Sequence, residues 1–181
     1  MDGMDYLREV DREFRRYRAL AEKALDQVPG ERWLAEPAPG SNSLAVVIKH
    51  VAGNLRSRWT DFLTTDGEKP DRDRDGEFEI RDGEGAGSLR GAWDEGWETL
   101  FASLDSLGEA DLSKRVRIRG EEMSAFQAIQ RSLAHSALHV GQIVYVAKML
   151  AGDRWRTLSI PRGGSKAFNA APAAYLPDRK A

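Results

Sequence analysis

The chain has 181 residues, which suits a single domain, and carries 27 basic and 29 acidic residues for a net charge of -2. This balance provides no basic surface for nucleic acid or an anionic membrane, and no segment approaches the roughly 18 consecutive apolar residues of a membrane span. The N-terminus lacks the pattern of a secretory signal, and cysteine is absent. We therefore expect a cytoplasmic protein without disulfides, thiolate ligands or a cysteine nucleophile.

Two amphipathic helices are predicted in the first third of the chain. Apolar residues recur at intervals of three and four from Asp5 to Gln27, and Pro29 and Gly30 end that pattern. Ser43 offers an N-cap for a second helix, which should run to about Leu63. Residues 64–87 are polar and rich in glycine, aspartate and arginine, so we expect a long loop there.

The second half of the chain predicts two more helices and a short hairpin. The third helix should run from Ser88 to about Leu107, and the alternating segment from Arg115 to Ser124 suggests a hairpin or an extended lead-in. The final helix should span Ser124 to Ala151, because Gly152 provides a C-terminal stop.

Four long helices without a repeated strand pattern predict an all-α protein, an antiparallel four-helix bundle. We expect one domain over residues 1–181, with a core at about residues 4–152 and an extended tail at 153–181. The sequence shows no internal repeat.

The chain contains only three histidines, and all of them fall in predicted helices. His135 and His139 are four residues apart, so they project from one helix face with Cβ atoms about 5–6 Å apart. His50 on the second helix could complete a site with three nitrogen ligands. Three protein ligands leave a divalent ion one open position for water or substrate. Spacing alone leaves a second interpretation open, in which the histidines are ordinary packing residues.

Segments throughout the chain resemble the DinB/YfiT-like superfamily of metal-binding four-helix bundles, specifically an uncharacterised DinB-like family. They are Ser41–Pro70, which includes His50, and the shorter segments Arg72–Glu79 and Ser159–Asn169. The resemblance implies that His50, His135 and His139 are metal ligands. Members of that superfamily include thiol-dependent S-transferases and isomerases as well as metal hydrolases.

The expected function is that of a metal-dependent enzyme acting on a small-molecule substrate. Imidazole ligands favour zinc or nickel over magnesium and calcium, and such an ion can lower the pKa of a bound water or thiol. We expect either a small-thiol-dependent S-transferase or a hydrolase. The alternative is a noncatalytic module in which metal binding serves stability, sensing or dimerisation.

Three polar residues near the histidines are candidates for supporting the site. Asn54 and Asp61 share the predicted helix face of His50 and could orient a ligand imidazole or a bound water, although Asp61 could instead pair with an arginine. Gln142 follows His139 by three residues and could hydrogen-bond a substrate, but a partly buried helix glutamine is a common alternative.

Three arginines are candidates for binding an anionic substrate. Arg131 precedes His135 by one turn, and Arg72 and Arg74 lie in the long loop. Surface ion pairs and solvated charge are the competing interpretations. A homodimer is also predicted, because Trp33 and Trp155 are expected to be exposed aromatic residues.

Overall fold

The computed structural model describes residues 2–171, which are mostly helical, with 63% helix and 5% strand. This confirms the predicted predominance of helix. The four long helices are α1 (Gly3–Leu25), α2 (Leu44–Trp59), α3 (Ala86–Asp105) and α4 (Ala125–Ala151).

Local capping signals define three of the helix ends. The Ser43 hydroxyl accepts the Val46 N–H at the start of α2, and Ser124 forms a reciprocal capping box with Gln127 at the start of α4. Gly152 ends α4 with a φ of 58°, in the region that favours glycine. The predicted N-cap at Ser43 and the predicted stop at Gly152 are confirmed, and α4 begins one residue after the predicted Ser124, which serves as its N-cap.

Helix α2 ends four residues earlier than predicted. Thr60 is extended, with a ψ of 124°, and Asp61 has a φ of 48°, so neither residue continues the helix. The Asp61 carbonyl instead accepts the backbone N–H groups of Thr64 and Thr65. The prediction that Asp61 shares a helix face with His50 is therefore wrong.

The predicted hairpin is confirmed between α3 and α4. Strand β1 (Arg115–Ile118) pairs antiparallel with β2 (Glu121–Ser124). Arg119 and Gly120 form the two-residue turn with φ values of 57° and 77°, as expected for a turn of the hairpin type I′.

The helices pack in pairs around one continuous apolar core. Helix α2 packs extensively on α3, α1 packs on α4, and α2 also contacts α4 along the side where the histidines lie. Gly96 of α3 permits the closest approach to α2, because a Cβ there would lie 2.9 Å from the Ala52 carbonyl oxygen.

Part of the loop between α2 and α3 is packed against the protein, although most of its charged residues are exposed, as expected for solvated charge. It contains a short 3-10 turn, Asp75–Phe78, in which Gly76 and Glu77 are buried. Lys49 of α2 anchors the loop by donating to the Glu79 carbonyl at 2.8 Å and by pairing with Glu84. The loop therefore covers one side of α2.

The segment after α4 is less extended than predicted. It contains a short helix α5 (Ser165–Ala170), and Trp155 and Leu158 pack against the core. Residues 172–181 of the predicted tail lie outside the described part of the chain.

The aromatic residues expected to be exposed at a dimer surface are not fully exposed. Trp33 is only 3% exposed, and its indole N–H donates to the Val28 carbonyl, while Trp155 is partly buried. That argument for a dimer was wrong. Between residues 2 and 171, no helix has both the length and the apolar character to cross a membrane.

Candidate metal centre

The three histidines lie together where α2 faces α4. The Nε2 atom of His135 is 3.3 Å from Nε2 of His50 and 3.2 Å from Nε2 of His139. One ring nitrogen from each residue falls within 4.8 Å of the others, so the group could hold a metal ion. His50 is buried, while His135 and His139 are partly buried.

The outer ring nitrogens of two histidines are held by hydrogen-bond acceptors. Nδ1 of His50 donates to the Glu77 carboxylate at 2.8 Å, and Nδ1 of His139 donates to the Gln142 amide oxygen at 2.7 Å. Since a neutral imidazole carries one N–H, these contacts keep the proton on Nδ1. The Nε2 lone pairs of His50 and His139 then face the cluster.

A proton count shows why this centre suits a cation. His135 Nε2 can carry at most one hydrogen, so it can donate to His50 or to His139 but not to both. In at least one of the two short contacts, therefore, the lone pairs of two Nε2 atoms face each other. This contact is repulsive unless a positive charge lies between the two nitrogens. Metal–nitrogen bonds of about 2.0–2.1 Å at a tetrahedral angle would separate the ligand nitrogens by about 3.3 Å. The two short nitrogen–nitrogen distances agree with that separation.

Burial favours the neutral, metal-binding form of the two histidines of α4, His135 and His139. It lowers the pKa of His135 to about 3, with a further contribution from the proximity of His139 and His50. Burial also lowers the pKa of His139, against the opposing effect of the Gln142 hydrogen bond. Both rings are thus ready to donate a lone pair near neutral pH.

Glu77 is held by a buried arginine as well as by His50. Arg72, whose side chain is 3% exposed, donates from Nε and Nη2 to the two Glu77 oxygens, each at 2.8 Å. Burial raises the pKa of Glu77, but hydrogen bonds from His50 and Arg72 outweigh it and lower the pKa overall. The carboxylate is therefore ionised and fixed in orientation.

Gly53 makes room for the Glu77 carboxylate on the surface of α2. A Cβ at this position would lie 2.8 Å from Glu77 Cδ and closer still to one of its oxygens. Since the carboxylate is held by two partners, it could not move aside without losing a hydrogen bond. Glycine at this position therefore allows the loop to reach His50.

A cavity of about 190 Å³ lies beside the cluster, and both His50 and His135 line it. Asn54, one turn after His50, is buried and also lines the cavity. Among residues 2–171, the side-chain amide of Asn54 has no hydrogen-bond partner. This amide could therefore bind or orient a molecule in the cavity.

The structure gives the predicted supporting residues different positions. Gln142 contacts His139 directly, whereas Asp61 is exposed and lines a separate surface pocket. Arg72 uses its donors on Glu77 and Glu68 instead of presenting them to a substrate. Arg74 and Arg131 do line the cavity beside the histidines.

Glu77 is the residue that sequence reasoning missed. It lies 27 positions after His50 in a loop, and no helical spacing connects the two. The only available signal was its place within the family-like segment Arg72–Glu79.

Fold and site together define a mostly helical protein with a three-histidine cluster that could hold a metal ion. The chain belongs to the family described as "Protein of unknown function (DUF1572)", whose sequence profile matches residues 2–164. All three histidines and Glu77 fall within the matched range. Searches of curated proteins and of solved structures found no match.

Proposed function

We propose that this protein is a metal-dependent enzyme with a DinB-like antiparallel four-helix bundle fold. His50, His135 and His139 would hold zinc or nickel, and the reaction would be small-thiol-dependent S-transfer or hydrolysis. The observation that carries the proposal is the convergence of three Nε2 atoms, two of which belong to rings whose outer nitrogens are already hydrogen-bonded.

Each residue of the site has a separate task in this proposal. The three imidazoles bind the cation as neutral ligands, while Glu77 and Gln142 keep the Nδ1 protons of His50 and His139 directed outward. Asn54 offers an amide donor and acceptor to a molecule in the adjoining cavity. The packed loop excludes water from the Glu77 side of His50.

The adjoining cavity favours an enzyme over a purely structural metal site. Structural sites are normally closed by four protein ligands, whereas here the cluster offers three histidines, and two of them, His50 and His135, line a space that a small molecule can enter. When bound, a divalent ion would supply a Lewis acid that lowers the pKa of a thiol or water near neutral pH.

Metal analysis of the purified protein tests the proposed site. We expect close to one equivalent of zinc or nickel after loading and dialysis, and less than about 0.2 equivalents for His135→Ala. Leu138→Ala, an exposed change on the same helix, is the matched control and should bind as the unaltered protein does. Substoichiometric metal in the unaltered protein would refute the proposal.

Two assays then separate the reaction classes. S-transfer is followed with cysteine or glutathione and a chromogenic aryl chloride, from which the thiol sulfur displaces chloride. Hydrolysis is followed with a nitrophenyl ester. The assay in which activity is lost in His135→Ala and retained in Leu138→Ala identifies the reaction class, S-transfer or hydrolysis. A stoichiometric metal without turnover in either assay would favour the noncatalytic alternative.

A further inference from the structure

The cavity beside the histidines is strongly basic. Six arginines line it, and among residues 2–171 no aspartate or glutamate does. The positive potential at its wall attracts an anion, and a divalent ion on the histidines would add to that potential. The six are Arg58, Arg72, Arg74, Arg117, Arg119 and Arg131.

Four of these arginines are committed to carboxylates behind the cavity wall. Glu68 alone contacts three of them, Arg58 at 3.0 Å, Arg72 at 3.3 Å and Arg119 at 3.1 Å. Arg117 is paired across the hairpin with Glu122 at 2.7 Å. Arg72 also pairs with Glu77, so the three guanidinium groups around Glu68 share two carboxylates, and one positive charge remains in excess at the wall.

The remaining two, Arg74 and Arg131, keep their hydrogen-bond donors available. Their nearest carboxylates are Asp75 at 3.7 Å and Glu121 at 3.8 Å, too distant for hydrogen bonds. The Asp75 and Glu121 side chains are 100% and 73% exposed, so water screens both pairs strongly. Arg74 is additionally positioned over the Phe78 ring, 5.4 Å from its centroid.

Part of the cavity lining is apolar. Trp59, Phe62, Val116 and Ile118 contribute to its lining, and the Trp59 indole N–H is already bonded to Ser132. The volume of about 190 Å³ exceeds that of an apolar cavity of about 150 Å³ known to bind benzene. An occupant can therefore combine a body of about the size of an aromatic ring with one acidic group.

We propose that this cavity binds a small amphipathic organic anion. Its carboxylate or phosphate is held by Arg74 and Arg131, and its apolar part packs against Trp59 and Phe62. Guanidinium groups bind both acidic groups through charge-assisted hydrogen bonds. The assignment of this anion as the substrate class rests on the proposed function, because the cavity borders His50 and His135; binding itself does not require the metal.

Calorimetric titration of the full chain with three probes tests the site. Phenylacetate and phenyl phosphate supply the two acidic groups, and 2-phenylethanol is the neutral control. Each is titrated into chelator-treated protein, so that direct coordination of the anion to a metal cannot contribute, and then into zinc-loaded protein. We expect at least one anion to bind the chelator-treated protein at least tenfold more tightly than the alcohol.

Arginine variants locate the binding site. Arg131→Gln and Arg74→Gln should each weaken anion binding about tenfold or more, since each removes a charged donor. Arg8→Gln, an exposed change on α1, is the matched control and should bind normally. Circular dichroism spectra confirm that each variant is folded.

The outcomes distinguish this inference from the metal proposal. Arginine-dependent anion binding by a protein that never holds stoichiometric zinc would support the anion site and refute the proposed enzyme. Stoichiometric zinc with no preference for an anion over the alcohol, or with equal losses in Arg131→Gln, Arg74→Gln and Arg8→Gln, would overturn the anion site and leave the metal centre intact.

Discussion

Glu77→Gln should weaken metal binding although residue 77 is not itself a proposed ligand. The carboxylate accepts from His50 Nδ1 and from both Nε and Nη2 of Arg72. A glutamine has one oxygen and one NH2 group, so it can accept on one side only, and its NH2 then faces a donor. The variant must therefore lose a hydrogen bond from Arg72 or let His50 carry its proton on Nε2.

If His50 carries its proton on Nε2, that nitrogen can no longer offer its lone pair to a metal ion in the cluster. Loss of a partner that orients a ligand histidine typically costs 10- to 100-fold in metal affinity, or about 1.4–2.8 kcal/mol at about 1.4 kcal/mol per tenfold. We expect an increase of this size in the Kd for zinc. Truncation with Glu77→Ala should in addition destabilise the fold by about 3–5 kcal/mol, because it leaves buried Arg72 without its main partner.

Competition against a chromophoric chelator at pH 7.5 measures the zinc Kd, and thermal denaturation in chelator measures stability separately. Glu79→Gln is the matched control, since Glu79 is exposed in the same loop and contacts Lys49 through its backbone. Equal zinc affinities for Glu77→Gln and Glu79→Gln, within twofold, would show that the glutamine gives up an Arg72 bond and still accepts from His50. Equal affinities for Glu77→Ala and Glu79→Gln would refute the argument that Glu77 orients His50.

Three further predictions follow from the packing and the buried charges. Gly53→Ala should displace the Glu77 carboxylate and weaken zinc binding about tenfold in the same competition assay, whereas an unchanged Kd would show that the loop can adjust. Gly96→Ala should lower the free energy of unfolding by about 1–3 kcal/mol in urea denaturation, because its Cβ meets the backbone of α2; unchanged stability would contradict that close approach. The pKa of His135 is lowered from 6.5 to about 3, so the unfolded chain binds the extra proton below pH 6.5. In chelator-treated protein, the free energy of unfolding should therefore be insensitive to this residue above pH 6.5. Between pH 6.5 and 5 it should fall by up to about 1.4 kcal/mol per pH unit. Urea titrations at several pH values measure this slope, which His135→Gln should reduce.

The parts of the fold that sequence reasoning predicted are those specified by local signals. Ser43, Ser124 and Gly152 act on backbone groups within a few residues, and the positive φ values at Arg119 and Gly120 belong to a two-residue turn. The end of α2 was missed because no proline or glycine follows Trp59 directly, and the helix stops where Thr60 becomes extended. That error placed Asp61 incorrectly.

The site was predictable to the extent that it depends on helical spacing. His135 and His139 follow from one helix face, and His50 was the candidate third ligand because it lies on another predicted helix; the family resemblance then implied all three as ligands. The position of Glu77 depends on a loop that folds back over Gly53, and the partners that fix it, His50 and Arg72, act through side-chain contacts that no periodicity encodes. The charged composition of the loop therefore did not predict that one of its ion pairs, Glu77 with Arg72, is buried.

The arrangement of charge around the cluster connects the proposed metal site to the basic cavity. The negative charge of Glu77 is offset by Arg72, and Gln142, the other outer partner, is neutral. Three neutral imidazoles would thus leave the charge of a divalent ion largely uncompensated. Had the outer partners been two unpaired carboxylates, they would have cancelled most of that charge and weakened its attraction for an anion. The pairing of Glu77 with Arg72 therefore orients His50 while preserving the positive potential that would attract the proposed anionic substrate.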